Sequence, residues 1–226
     1  MADRNVSTMS DLLRTRLASG LLLVAFGLEA FLVSPCIGMG LLPLWVGALS
    51  ASVTLLAAAI AVRAHRRARG LVLAILLFAL AAHWGHLLGG SQRTQFLLAL
   101  ATAISCATFA ALFLIEVFSE GRVGSRLLAV LSAYLFMGAA WGGVYHIAEL
   151  LWPGAFTLPA GAHPGSEFLY YSFATITSVG SDDIIPVNPL VRSLTVLEAM
   201  TGQLYLVLVV SRFVAERGGR DRTRAV

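Results

Sequence analysis

Lysine is absent from this chain: all 16 of its basic residues are arginine. Charge of either sign is scarce, at 12% of residues, where a soluble domain carries about 25%. Hydrophobic residues make up 58%, and the mean hydropathy is +0.83. These balances exclude a water-soluble globular domain and place the chain in lipid. Cysteine is rare as well. Cys36 follows the first apolar run and Cys106 lies in the middle of the fourth, at different expected depths, which argues against a disulfide between them. The sequence has no His-Glu-x-x-His motif, no nucleophile elbow and no phosphate-binding glycine loop, and these absences count against an enzyme.

What the chain has is apolar length. Runs near Leu12–Val33, Leu41–Val62, Leu71–Leu88, Phe96–Phe118, Leu127–Trp152 and Leu190–Val214 approach or exceed the roughly 20 residues a spanning helix needs. The expected fold is an all-α membrane protein with six transmembrane helices. Glu29 interrupts the first run, and a loop over Ser34–Met39 leads directly into the next, which argues against a signal peptide. Arginine placement sets the expected orientation. One set of connections holds Arg4, Arg14, Arg16, Arg63, Arg66, Arg67, Arg69, Arg122, Arg126, Arg212, Arg217, Arg220, Arg222 and Arg224, and only Arg93 and Arg192 fall outside it. The positive-inside rule then makes both termini cytoplasmic. The pI near 9.6 is on this reading a topology signal. The expected partners are membrane lipids, with no nucleic acid, and the basic tail suits anionic headgroups.

The organisation reads as two halves. Residues 1–118 form a four-helix transmembrane domain, 119–126 a Gly- and charge-rich linker, and 127–226 an outer helix, a short segment, an inner helix over 190–214 and a short polar tail. The short segment is the informative one. A Pro- and Gly-rich stretch over Pro153–Pro164 leads to Ser166, which can cap a helix over 167–177 with Glu167 in its first turn. About eleven residues at 1.5 Å each reach only half way across a bilayer. The chain then reads Thr175-Ile-Thr-Ser-Val-Gly-Ser-Asp-Asp-Ile-Ile-Pro186 and enters the last span. Irregular backbone at that depth is tolerated only where it is buried in protein or lines water.

The aromatic half-helix Phe168-Leu-Tyr-Tyr-Ser-Phe173, the Thr-Ser-Val-Gly loop, the following Asp and Pro, and then a span together resemble the pore loop of the potassium-channel superfamily. In that family the filter reads Thr-Val-Gly-Tyr-Gly, preceded by Thr and followed by Asp. Thr177 matches the preceding Thr. Ser178 stands at the first filter position and keeps its hydroxyl, and Val179, Gly180 and Asp183 match, as does Pro186. Ser181 replaces the Tyr and Asp182 the second Gly. The resemblance implies a filter over 178–182, with ion contacts from Thr177, Ser178, Val179, Gly180, Ser181 and Asp182. Potassium would be held by Ser178, Val179, Gly180 and Ser181. Asp183 and Glu198 would support the filter or its outer mouth, Glu198 bracing it from behind. Gly202 lies where the family has a bending glycine, a gating hinge, although close helix packing explains the same residue. The Asp182 position usually has φ > 0, which Asp tolerates at some cost. One filter-like loop per chain cannot close a pore, so the resemblance implies a homotetramer.

The function implied is passive potassium conduction across the plasma membrane, the inner membrane in a bacterium, with K⁺ or Na⁺ in the filter and no cofactor. The alternatives are a non-selective monovalent cation channel, because both substitutions fall at the outer filter, and a non-conducting membrane scaffold. Four helices before the pore resemble the voltage-gated plan in topology alone. The fourth, Phe96–Phe118, has no Arg, and each gating charge yields only about 2.3 kcal/mol per 100 mV, so little voltage sensitivity is expected. Other intramembrane polar groups are Glu29, His83, His86, His146 and Glu149. His83 and His86 share a helical face, and His146 with Glu149 supplies too few ligands for a closed zinc site. Polar contacts inside the bundle are their plainer explanation.

Overall fold

A computed structural model of the chain describes residues 17–61, 69–118, 123–161 and 163–224. Arg4, Arg14, Arg16, Arg63, Arg66, Arg67, Arg122 and the first half of the proposed linker, 119–122, lie outside the described residues. The described segments are almost wholly helical: α1 (Leu17–Gly38), α2 (Leu44–Ala61), α3 (Arg69–Gly89), α4 (Gln92–Phe118), α5 (Val123–Leu151), α6 (Pro164–Ile176) and α7 (Pro189–Arg224). Five of these are long and apolar enough to cross a membrane, namely α1, α3, α4, α5 and α7, while the apolar stretch of α2, Leu44–Ile60, is shorter.

Three local expectations are corrected. Ser34–Gly38 is helix and not loop. Pro35 has no N–H to give a carbonyl four residues back. The chain accommodates it by widening the preceding turn, Glu29–Val33, into a π-helical turn in which the Ser34 N–H reaches Glu29 O. The polar tail continues α7 to Arg224. Elongating an existing helix fixes one residue per hydrogen bond gained, so a tail that would not fold alone can follow it. Finally, α6 begins at Pro164, with His163 at its N-cap and no side-chain cap. Proline suits the first helical turn because its missing N–H would be unpaired there anyway. The Ser166 hydroxyl donates to His163 O at 3.0 Å instead of capping.

One apolar core runs through both halves of the sequence. Leu22 and Phe26 of α1, Leu76 of α3, Phe109 and Phe113 of α4, and Phe136 of α5 are buried together. The Phe136 ring lies 4.4 Å from Phe26 and 5.4 Å from Phe109. At the Arg-rich end, Arg212 of α7 donates to Phe118 O at the end of α4, at 3.2 Å.

The short helix α6 descends along α5, and small residues let it come close. A Cβ at Gly142 would lie 3.1 Å from Phe168 O, and one at Gly138 2.7 Å from the Phe173 ring. These glycines are four apart on one face of α5, the small-xxx-small spacing by which membrane helices approach. Lower still, the Tyr134 hydroxyl donates to Ile176 O at 2.9 Å. After α6 the chain returns. β2 (Ile185–Pro186) pairs antiparallel with β1 (Phe156–Thr157), with Phe156 opposite Pro186 and Thr157 opposite Ile185. β1 lies just beyond the end of α5, so the segment enters and leaves the bundle at one end.

Candidate pore loop and its supports

The loop after α6 is built on a helix C-cap. Thr177 is the cap, and its hydroxyl donates back to Phe173 O at 2.6 Å. The Ser178 N–H reaches Thr175 O and the Val179 N–H reaches Ala174 O, both at 2.9 Å, and the Gly180 N–H shares Ala174 O at 3.0 Å. The first two bonds are the pair of a Schellman motif, which places its αL residue at Ser178. Ser178 indeed has φ 61°, the one non-glycine with positive φ among the described residues. Gly180 follows at φ 81°. Asp182 does not take the positive φ expected of it: the left-handed positions here are Ser178 and Gly180, because the helix cap sets the first.

This pattern decides where the carbonyls go. All described peptides are trans, and across a trans peptide the C=O points opposite to the N–H. The N–H groups of Ser178, Val179 and Gly180 turn back to α6, so the carbonyls of Thr177, Ser178 and Val179 are directed away from it. Val179 is 82% exposed, and Thr177, Ser178, Gly180, Asp182 and Asp183 are exposed as well. Ser181 is held inside its own loop. Its hydroxyl donates to Asp183 Oδ1 at 2.6 Å and accepts the Ile184 N–H at 3.2 Å. Ile184 beneath it is fully buried. A groove of about 400 Å³ remains beside the loop, lined by Tyr171, Thr175, Val179, Ser181, Thr195 and Ala199 among others. At the mouth, burial and then the nearby Asp183 charge push the Glu167 carboxyl above its ordinary range, against the opposing effect of His163.

Glu198 of α7 is fully buried. It accepts hydrogen bonds from the Tyr145 hydroxyl of α5 and from the Ser172 hydroxyl of α6, whose single proton is shared with Gly138 O at 2.6 Å. One carboxyl group therefore joins all three helices that frame the loop. Gly202 lies against the C-terminus of α6: a Cβ there would collide with Ile176 O and stand 2.7 Å from Ile176 Cγ1. α7 runs helical through this position, and close packing is what the geometry asks of Gly202.

Four supporting residues escaped the sequence reading. Gln203 Nε2 donates to Ser178 Oγ at 2.7 Å. Tyr134 holds the last carbonyl of α6, and Tyr145 and Ser172 hold Glu198. Gln203 is an amide beside Gly202 in an otherwise apolar stretch, a signal the sequence did carry. Among the described residues no three His, Cys, Asp or Glu side chains are placed to hold one metal ion together, and both cysteines are free.

The class these features define is a helical membrane protein with a half-length helix whose loop turns its carbonyls outward. A family model described as Ion channel matches residues 130–216, which hold most of α5, α6, the loop and most of α7, and this supports an ion-channel superfamily for that segment. The potassium-channel resemblance is consistent with this. No curated protein and no solved structure matches the chain.

Proposed function

We propose that the chain is a potassium channel, assembled as a homotetramer, that conducts K⁺ passively through Ser178-Val179-Gly180-Ser181-Asp182. The observation that carries this reading is the run of consecutive N–H groups turned back onto α6. It leaves the carbonyls of Thr177, Ser178 and Val179 for an ion that must replace its hydration shell. The C-terminus of α6 adds partial negative charge at the same place. The exposed Val179 and the exposed face of α7, including Met200, Leu204 and Val207, fit contact with further copies around a shared axis. Asp183 steadies the outer mouth through Ser181, and Glu198 braces the pore helix. Gly202 sits where α6 meets α7, so any bending there would be felt at the filter.

A second reading, a non-selective monovalent cation channel, is favoured by one observation. Ser181 bonds within its own loop and leaves the neighbouring groove of about 400 Å³ unfilled by its side chain. An outer filter without packing behind it holds its carbonyls less firmly. Reversal potential in a planar bilayer, with K⁺ opposed to Na⁺ across purified protein, tests both. A shift toward the K⁺ equilibrium potential supports the first reading, a reversal near zero with clear current the second. Absence of current under either polarity and any pH leaves the membrane scaffold.

A further inference from the structure

Four of the five histidines of this chain line one cavity. It measures about 310 Å³ and lies at the end of the bundle where α6 begins. Glu29 lines it from α1, His83 and His86 from α3, His146 from α5, and His163 with Ser166 from the start of α6. Glu29 accepts the Thr54 hydroxyl of α2 at 2.6 Å. His83 Nδ1 lies 2.8 Å from Ala79 O, so this nitrogen carries the proton and Nε2 is left as the acceptor. His86 Nδ1 is shut off from solvent with no hydrogen-bond partner, a costly arrangement for a buried polar atom. α2 and α4 bring no further acid or base to the cavity wall. Cys106 of α4 joins Glu29 and His83 around a smaller pocket below, and Glu167 lies within electrostatic reach of His163.

The cavity is tied to the short helix at three points. The His146 ring lies 5.8 Å from the Phe168 ring. The Phe31 ring, inside the π-helical turn that Glu29 opens, lies 5.0 Å from the Phe173 ring. Gly38 at the end of α1 is so close to Ser166 that a Cβ there would stand 2.9 Å from the hydroxyl oxygen. A change in the packing of α1 or α5 at this cavity is thus passed to both ends of α6.

We infer that this histidine cavity senses protons and controls conduction by seating or unseating α6; the inference rests on the channel reading above. Imidazole changes charge within reach of neutral pH, and burial moves that change toward acid. Several imidazolium groups around one cavity repel, and a single carboxyl group at Glu29 cannot pair with all of them. Protons therefore favour an expanded cavity in which Phe31 and His146 no longer hold Phe173 and Phe168. The packed arrangement is the conducting one, and acid on the cavity side lowers the current.

The test is current through purified protein in a planar bilayer, titrated from about pH 8 to about pH 5 on each side separately. It is run for the parent, for His86→Gln, and for His83→Gln/His86→Gln/His146→Gln. The parent is expected to lose current about tenfold for each proton whose affinity differs by one pKa unit between the two states, from one side only. The triple variant keeps its current in acid. His86→Gln abolishes no hydrogen bond at Nδ1, so it serves if the triple variant does not assemble, and it shows a smaller loss than the parent. Equal acid inhibition in parent and variants overturns the proposal and moves the sensor elsewhere, Glu167 being the first place to look. Zn²⁺ block removed by the same substitutions, with acid inhibition unchanged, overturns it in favour of a metal site. If the parent carries no current at any pH, the channel reading has failed, and nitrogen NMR of the histidine side chains in lipid then decides the cavity on its own. Coupled titration of His83, His86 and His146 upholds a proton site, and independent titration refutes it.

Discussion

The hydroxyl of Ser172 on α6 and the carboxyl group of Glu198 on α7 are hydrogen-bonded in a fully buried site. Tyr145 of α5 donates to the other oxygen of the same group. A carboxyl group is the economical solution here, because two buried donors arrive from opposite sides and one planar acceptor satisfies both. Glu198→Ala strands the Tyr145 hydroxyl at about 1–3 kcal/mol and leaves the Ser172 hydroxyl with Gly138 O alone, whereas Glu198→Gln keeps one carbonyl acceptor. Thermal unfolding of purified protein in detergent should therefore rank parent above Gln above Ala. An Ala variant as stable as the parent would mean that the three helices are held without this group.

Gly202 and Ile176 make the second junction. A methyl group at position 202 must displace the last carbonyl of α6, the one Tyr134 also holds. Ala would ordinarily strengthen a helix by up to about 1 kcal/mol over Gly. Overpacking costs about 1–3 kcal/mol, so Gly202→Ala should lower the melting temperature and reduce current. If it raises stability and leaves current intact, the contact is slack. Reduced current with raised stability would point instead to bending at Gly202.

Much of this was legible in the sequence, for identifiable reasons. Apolar runs depend on composition, and so the middle helices lie within a few residues of the expected runs, whereas α1 runs on to Gly38 and α7 to Arg224, past the ends of theirs. The loop after the half-length helix was visible because Thr-Ser-Val-Gly-x-x-Asp sits between an aromatic segment and a span. Pro35 misled, since proline reads as a stop and a π-helical turn has no sequence sign of its own. The αL residue was sought at Asp182, whereas the cap of α6 sets it at Ser178, and caps are fixed by hydrogen bonds that no pattern lists. The grouping of His83, His86, His146 and His163 required tertiary structure, because three separate elements bring them together.

Ser178 carries two opposed tasks. Its αL backbone costs about 1–2 kcal/mol for a residue with a Cβ, and its hydroxyl accepts from Gln203. Ser178→Gly should relieve the first and forfeit the second, worth about 1 kcal/mol, so stability should change little. Under the channel reading the loss falls on ion selectivity, because the hydroxyl at the inner end of the filter is gone. Reversal potentials checked alongside melting curves separate the two effects. A Gly variant with unchanged stability and unchanged selectivity would remove Ser178 Oγ from the ion path.

The fourth helix makes a negative prediction that is easy to check. α4 carries Arg93 in its first turn and Glu116 near its far end, with no basic residue between them. Steep gating needs several charges crossing the field, at about 2.3 kcal/mol each per 100 mV. Conductance should therefore vary only shallowly with voltage. A steep conductance–voltage curve in pure lipid would place gating charge outside α4.

Under the channel reading, Ser181 and Asp182 offer the sharpest test of selectivity. Ser181 now bonds Asp183 and Ile184 and leaves the adjoining groove, with Tyr171 and Thr195 at its wall, unfilled. The Tyr171 and Thr195 hydroxyls are 2.9 Å apart, so a polar edge is ready to receive a phenol. Ser181→Tyr with Asp182→Gly puts an aromatic ring at that groove and a residue free to take φ > 0 after it. Both changes stiffen the loop in the form the potassium-channel family uses. The double variant should prefer K⁺ over Na⁺ more strongly than the parent, by about tenfold for each 1.4 kcal/mol of added discrimination. Reversal potentials of the two proteins under the same K⁺/Na⁺ gradient measure it directly. A double variant no more selective than the parent would mean that Ser181 and Asp182 are not what limits this filter, and the account of the outer sites would fail with it.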